Sequence, residues 1–310
     1  LNAVEAFKDN VLAADELTEA LDDVADLERL LSKLSYQSFS ARDSLALLRS
    51  LQSVKPIKDK LKTFSVSGIA VLEHTLAPLG ALCELIARAI HPDAPLAITE
   101  GGIIADGYNQ ELDDYRAAAL HGKQWLMELE ASEREQTGIR NLKIQYNRVF
   151  GYYIEVTKSY LNLVPDRYTR KQTLTNAERF ITEELAEIER KITGAQQSAV
   201  ALETELFGAV RKKIEQEIPA IQQNALALKT LDVLLSLAKV AREYGYVKPE
   251  MTEDGGIEIV NGRHPIVERM LTDEPFVPND TLMDTTGHRM LIVTGPNMAG
   301  KSTYMRQVAL

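Results

Sequence analysis

Apolar positions recur at steps of three and four over most of the chain, which predicts one amphipathic helix after another. In residues 1–90 Asp15 is placed to cap a helix whose apolar positions include Leu17, Leu21, Val24, Leu27 and Leu31. Ser40 precedes a second helix, Pro56 sits at the start of a third, and residues 68–90 form a longer one stopped at His91-Pro92. The stretch 91–107 carries Pro92, Pro95, Gly101, Gly102 and Gly107 and reads as a connection.

Two long helices follow. Tyr108, Leu112, Tyr115, Ala119, Gly122, Leu126 and Leu129 mark the first; Leu185, Ile188, Ile192, Ala195, Ala199, Leu202, Leu206 and Ala209 mark the second. Both series alternate steps of four and three, the coiled-coil repeat. The first arm spans roughly 28 residues, or about 42 Å. The second is expected from about Ala177 to Ile218. Between them the period changes to two: Leu142, Ile144 and Tyr146, then Tyr152, Ile154 and Val156, with a turn at Asn147–Gly151. That is a β-hairpin, and Tyr168–Leu174 fits a further strand. The expectation is an antiparallel coiled coil with a small β-module at its tip.

Charge sharpens this picture. The chain has 310 residues and a net charge of −10. Residues 139–180 nevertheless hold eight Lys or Arg against three acids, a local excess of +5 that leaves −15 elsewhere. The β-module is therefore basic, and Lys143, Arg148, Lys158, Arg170 and Lys171 are candidates for contact with a nucleic-acid backbone. Tyr152 and Tyr153 could stack on bases, although alternation along a strand sends one ring into a core. A single cysteine, Cys83, excludes an internal disulfide framework and suits a reducing, cytoplasmic setting. No stretch approaches 18 uninterrupted apolar residues. Both ends of the chain fall inside helical patterns, from which a longer parent protein is expected.

Residues 219–243 return to helix. From Val247 short strands are expected at Ile257–Val260, Ile266–Val267 and Met290–Val293, so a new α/β domain begins near residue 246. The last strand leads into Gly295-Pro296-Asn297-Met298-Ala299-Gly300-Lys301-Ser302, a full Walker A pattern, and Thr303 onward is helical. In such a loop backbone N–H groups and a helix N-terminus face phosphates, Lys301 reaches the β- and γ-phosphates, and the Ser302 hydroxyl is a Mg²⁺ ligand. The five histidines show no metal-ligand spacing, and His264, in an Arg-His-Pro turn, reads as structural.

The words around this loop resemble one family. VTGPNMAGKSTYMRQVAL resembles the phosphate loop of the MutS family of DNA mismatch-repair ATPases, and NGRHPIVE with PFVPND its ATPase entry strands. GGIIADGYNQELDDYR resembles its first lever helix, and LKIQYNRVFGYYIEVTKSY with RKQTLTNAERF its clamp. The resemblance implies a mainly α chain with α+β parts. Helical core and first lever would occupy 1–123, a clamp 124–183, the second lever and return to core 184–245, and the truncated start of a P-loop, ABC-type α/β ATPase domain 246–310. It also implies ATP and Mg²⁺ as cofactors, with Phe276 stacking on adenine beside Val277 and residues Gly295–Thr303 holding phosphates. Implied partners are mismatched double-stranded DNA, a second copy of the protein and a MutL-type ATPase; the implied location is the cytoplasm, on the nucleoid in a bacterium. The family's mismatch-reading and connector domains find no counterpart here, and Walker B carboxylates are expected downstream of Leu310. This stretch alone is thus expected to lack turnover. Rival readings are a clamp-less MutS paralogue, disfavoured by the basic module, another coiled-coil ABC-type ATPase, and a structural protein with an idle phosphate loop.

Overall fold

In the computed structural model, which describes residues 1–36, 38–147, 149–272 and 274–310, the chain divides into two compact units, Leu1–Tyr246 and Val247–Leu310. The first is mostly helical. It opens with α1 (Asn2–Asp9), α2 (Val11–Asp22), α3 (Leu27–Ser35), α4 (Ala41–Leu61), α5 (Ser67–Thr75) and α6 (Gly80–Ala89). Then come α7 (Gln110–Thr137), strands β1 (Lys143–Asn147), β2 (Gly151–Thr157), β3 (Thr169–Thr173) and β4 (Ala177–Ile181), and helices α8 (Glu183–Gln216) and α9 (Ile218–Glu243).

Several helix boundaries differ from those expected. Asp15 caps nothing: it lies within α2, which starts after Asn10, and it faces Arg242 at 3.6 Å. The run from Leu17 to Leu31 is broken at 23–26, where Asp26 accepts the Arg29 N–H at 2.9 Å and starts α3. Ser40 does cap α4, in a reciprocal box with Asp43. Pro56 opens no helix but sits inside α4. Its missing N–H and ring strain cost about 3 kcal/mol. Full burial of Ile57 and Leu61 beyond it returns about 1.5–3 kcal/mol each, so the helix continues. Residues 68–90 form two helices rather than one, because Pro78 interrupts them. Buried Asn224 of α9 satisfies the break, accepting the Ala77 N–H at 2.8 Å and donating to the Ala77 carbonyl at 2.9 Å. Among the described residues no single helix is long and apolar enough to cross a membrane.

α7 and α8 lie against each other in opposite directions. Arg116 meets Glu203, Gly122 meets Ile192 and Trp125 meets Lys191, so position falls along α8 as it rises along α7. A methyl group on Gly122 would overlap Ile192, which shows how closely the backbones approach there. At about 1.5 Å per residue the helices are about 42 and 51 Å long. α7 runs unbroken through residue 123, and α8 starts at Glu183, after the buried Thr182 hydroxyl caps Leu185. Ala177–Ile181, expected as the start of the second arm, is instead strand β4. Its helix-favouring Ala-Glu-Arg run is overridden by pairing on both sides.

The sheet order is β1-β2-β4-β3, antiparallel throughout. The expected hairpin is present, with Asn147 opposite Gly151 and Ile144 opposite Ile154. One face packs Ile154, Val156 and Phe180 onto Leu126 and Leu129 of α7 and Leu185 and Ile192 of α8. A separate core joins α1–α6 and α9 to the other end of the helix pair.

Two buried carboxylates hold the ends of the pair: Glu203 joins α8 to α7 and to the segment before it, and Glu133 joins α7 to the segment that leads into β3. Glu203 of α8 accepts the Gly102 and Ile103 N–H groups at 3.0 and 2.9 Å and the Arg116 guanidinium at 2.7 Å. Glu133 of α7 accepts both Arg167 nitrogens at 2.8 and 2.7 Å and the Tyr168 hydroxyl at 2.8 Å. Burial and that bond to Glu133 push the Tyr168 phenol upward.

The second unit contains β5 (Ile257–Gly262), α10 (Pro265–Met270), β6 (Asn279–Met283) and α11 (Lys301–Ala309), with β5 and β6 antiparallel. Ile266–Val267 is helical, not a strand. His264 caps that helix, its Nδ1 accepting the Ile266 and Val267 N–H groups, and Pro265 follows at a position that needs no N–H. Met290–Val293 is not a strand either. Met290 and Ile292 are about four-fifths exposed, and the run pairs with no strand among the described residues.

Two outcomes follow for stability. Replacing Glu203 with Ala strands two backbone N–H groups and removes one partner of the Arg116 guanidinium, which keeps Asp106 and the Ile104 carbonyl, and should cost about 3 kcal/mol. Urea unfolding followed by the only tryptophan, Trp125 on α7, measures it; an unchanged midpoint would remove Glu203 from this role. Asp43 supplies a pH test. Burial raises its pKa, but the Lys33 ammonium at 2.6 Å and the Ser40 bonds outweigh this and hold it below the usual carboxylate value. Its stabilisation is therefore complete above the unfolded value of about 4 and is lost as pH falls through the folded one. Lys33→Met should melt below the parent at neutral pH, and the gap should close in acid.

Candidate nucleic-acid interface and phosphate loop

The sheet has a second face, turned away from the helix pair. Tyr153 and Glu155 of β2 lie on it with Gln145 of β1 and Arg179 of β4, as the register requires. Arg179 stacks 4.2 Å from the buried Tyr153 ring centroid, pairs with Glu155 at 3.3 Å and donates to Gln172 at 2.8 Å. The Tyr153 hydroxyl donates to Gln145 at 3.2 Å. Arg179 is thus fully committed within the sheet. Of the adjacent tyrosines, Tyr153 is buried under Arg179 on this face, and Tyr152, on the helix side, packs against the sheet's core and against Tyr146 with centroids 5.0 Å apart.

The expected backbone-contacting residues divide into three groups. Lys143 and Lys158 are exposed and form no hydrogen bond or ion pair through their side chains among the described residues. Asn141 donates to Thr157 at 2.6 Å, which ties the start of β1 to the end of β2 and gathers these two lysines at one end of the hairpin. Arg170 is held by Glu178 at 2.7 Å, and Lys171 donates to the Phe150 carbonyl at 3.1 Å, at the opposite, turn end. Arg148 lies outside the described residues. Arg140, next to Asn141, is a further exposed cation whose side chain has no partner among the described residues. The charge count of the window included it, but no alternation singled it out.

In the second unit the phosphate loop is exposed and leads directly into α11 at Lys301. Gly300 sits at φ +81° with open space where a Cβ would be, a conformation that glycine adopts without strain. The Lys301 ammonium donates to the Gly295 and Pro296 carbonyls, the latter at 3.0 Å. A cavity of about 610 Å³ brings Phe276 and Val277 together with Ala299, Gly300, Lys301 and Thr303. Residues more than 20 positions apart in sequence thus share one site. Gly295, Pro296, Asn297, Met298 and Ser302 lie outside its lining. Tyr304, which the sequence reading missed, lines it, and its hydroxyl bonds Thr281 at 2.9 Å, linking α11 to β6. The exposed glycine-bounded backbone, the lysine directed at it and the helix start suit a phosphate group.

Residues 107–198 match the family model described as MutS family domain IV, a span that holds α7, the whole sheet and the outer part of α8. Over 310 residues the chain is 50% identical to the DNA mismatch repair protein MutS of Ruminiclostridium cellulolyticum. It is 48% identical to the proteins of that name from Acetivibrio thermocellus and Alkaliphilus metalliredigens. These matches cover all of this chain and 35–36% of each relative, so the chain spans about a third of the length of the curated relatives it matches. With a helix pair that carries a small antiparallel sheet in the matched span, and full-length similarity beyond it, the chain belongs to the MutS family.

Proposed function

We propose that this chain is the lever, clamp and phosphate-loop portion of a DNA mismatch-repair ATPase, one that encloses duplex DNA and couples ATP binding and hydrolysis to clamp closure. The observation that carries the reading is the basic sheet mounted on a stiff antiparallel helix pair. Arg140, Lys143, Lys158 and Lys171 lie against DNA phosphates and neutralise them without reading sequence. Arg170 joins them only if it leaves Glu178. The helix pair works as a lever because Glu203 ties α8 to α7 near its base and Glu133 ties α7 to the sheet module at its tip, so a movement at the base is passed to the sheet. The antiparallel sheet between the arms disfavours the clamp-less paralogue.

In the second unit Phe276 stacks on adenine, and backbone N–H groups of the Gly295–Gly300 loop hold the phosphates. Lys301 moves from carbonyl oxygens to phosphate oxygens, which form stronger, charge-assisted bonds. Ser302 and Thr303 open the helix, with the Ser302 hydroxyl as the Mg²⁺ ligand. When bound there, Mg²⁺ would supply positive charge for phosphoryl transfer to water. The whole protein acts as a dimer on mismatched duplexes, with a MutL-type ATPase as downstream partner.

Two experiments test this. Duplex binding by the chain should involve about three to five phosphates, so log affinity should fall against log salt with a slope of roughly −3 to −4.5. Lys143→Gln and Lys158→Gln should each make that slope shallower by about 0.9, equally on matched and mispaired duplexes. Salt-independent binding would contradict the interface. Separately, phosphate release from ATP should match that of Lys301→Ala at background, because the Met290–Val293 run that must support the loop is unpaired. Turnover abolished by Lys301→Ala would show a complete catalytic site within these residues.

A further inference from the structure

The β1–β2 turn is braced from several sides yet presents apolar side chains to solvent. Asn147 accepts the Val149 N–H at 2.8 Å, closing the turn locally. Gly151, at φ +72°, lies so close to the Glu189 carboxylate of α8 that any side chain there would overlap it. Glu189 also accepts the Tyr152 N–H at 3.2 Å. From the far edge of the sheet Lys171 reaches the Phe150 carbonyl. On this fixed frame Val149 is 80% exposed, Tyr146 59% and Phe150 38%. A turn needs none of these residue types, since polar side chains solvate it better. Clustered apolar exposure on a braced element marks a contact surface.

We infer that the Val149–Phe150 turn is an apolar wedge, seated against deoxyribose and base surfaces in a groove of the duplex, while the neighbouring cations hold the phosphates on either side. The inference rests on the DNA-binding reading above and adds a different kind of contact to it. Charge selects the occupant. Lys171 is bonded to the wedge's own backbone, and Lys143, Lys158 and Arg140 stand at the other end of the same hairpin. An apolar protein partner would have no need of cations at both ends, whereas a duplex offers apolar sugar faces between two rows of phosphates. Side chains such as Phe are used in this way by proteins that enter a groove. Bracing matters because a wedge that is already ordered loses little entropy on binding.

The two kinds of contact separate in a salt titration. A cation on phosphate releases counterions and contributes to the slope; an apolar contact contributes the same amount at every salt concentration. The experiment measures binding of the chain to a labelled duplex across a salt series, with Val149→Ser/Phe150→Ser and Lys171→Gln beside the parent. The double variant should bind about tenfold more weakly at all salt concentrations with an unchanged slope, in the range seen when aromatic contacts to bases are removed. Lys171→Gln should change the slope by about 0.9. Val149 is largely exposed, so Val149→Ser should leave thermal melting unaffected and carries the test alone should the double variant, which also removes the partly covered Phe150, melt early. Unchanged affinity in the serine variants of a chain that binds DNA with the expected slope would overturn the wedge alone. If the parent chain binds no duplex, the DNA-binding reading falls and the wedge falls with it. Loss of affinity through a changed slope would mean that the turn only positions cations, and would also overturn it.

Discussion

Two buried carboxylates, one near each end of the helix pair, set where the outer end of the first unit stands relative to its base. Apolar packing along α7 and α8 is non-directional, and apart from the notch at Gly122 that receives Ile192 it does little to fix how far one helix slides along the other. A buried carboxylate does more. Glu203 is satisfied only where Gly102, Ile103 and Arg116 meet it, and Glu133 only where Arg167 and Tyr168 do. Displacing either by a helical residue would leave a desolvated charge unpaired, at a cost of several kcal/mol. Replacing such a pair with apolar residues can be neutral or favourable, so its value here lies in register rather than in net stability. That distinction suits a lever, whose two ends must keep a fixed relation.

The same accounting changes the meaning of the basic window. Its +5 excess is a property of the sequence segment, but the folded module draws acids from outside it. Glu133 arrives from α7 and neutralises Arg167; Glu130 of the same helix accepts the Ile144 N–H at 2.7 Å, and Glu189 of α8 the Tyr152 N–H. Inside the window Glu155 and Glu178 hold Arg179 and Arg170. The charge left free is concentrated at the two ends of the hairpin rather than spread over a face. Any contact these cations make with a nucleic-acid backbone therefore involves few groups.

Periodicity carried the first unit well where an element's partners lay nearby in sequence. The first arm, the hairpin with its turn, the strand after Tyr168 and the helix over 219–243 all formed as their spacing indicated. Failures arose where distant contacts decide. Pro56 reads locally as a helix start, yet buried Ile57 and Leu61 draw α4 across it. Ala177–Ile181 reads as helix, yet β2 and β3 claim it from either side. Nothing local announces that Asn224 will satisfy Ala77, 147 positions away. At the site, the loop motif and Phe276 were legible, and their meeting in one cavity was an expectation of resemblance rather than of spacing. The division of the cations into committed and free was not legible, because it turns on which acids fold against them.

The second unit shows why a phosphate loop can be half formed. Helix α11 closes hydrogen bonds within itself, so it needs only a glycine at its start and a local anchor, here Tyr304 on Thr281. A strand makes its hydrogen bonds with neighbours, so Met290–Val293, for all its β-branched Ile292 and Val293, gains nothing by extending alone. Among the described residues it has no such neighbour, and Met290 and Ile292 lie largely in solvent. The loop is consequently held on its helix side and left loose on its strand side. Lys301 bridges that gap through two carbonyls of the loop, keeping the ammonium beside the backbone where phosphate oxygens would be drawn. The direction of the lysine is therefore set by the loop itself, and lateral strands would add hydrogen bonds to the Met290–Val293 run that leads into Gly295.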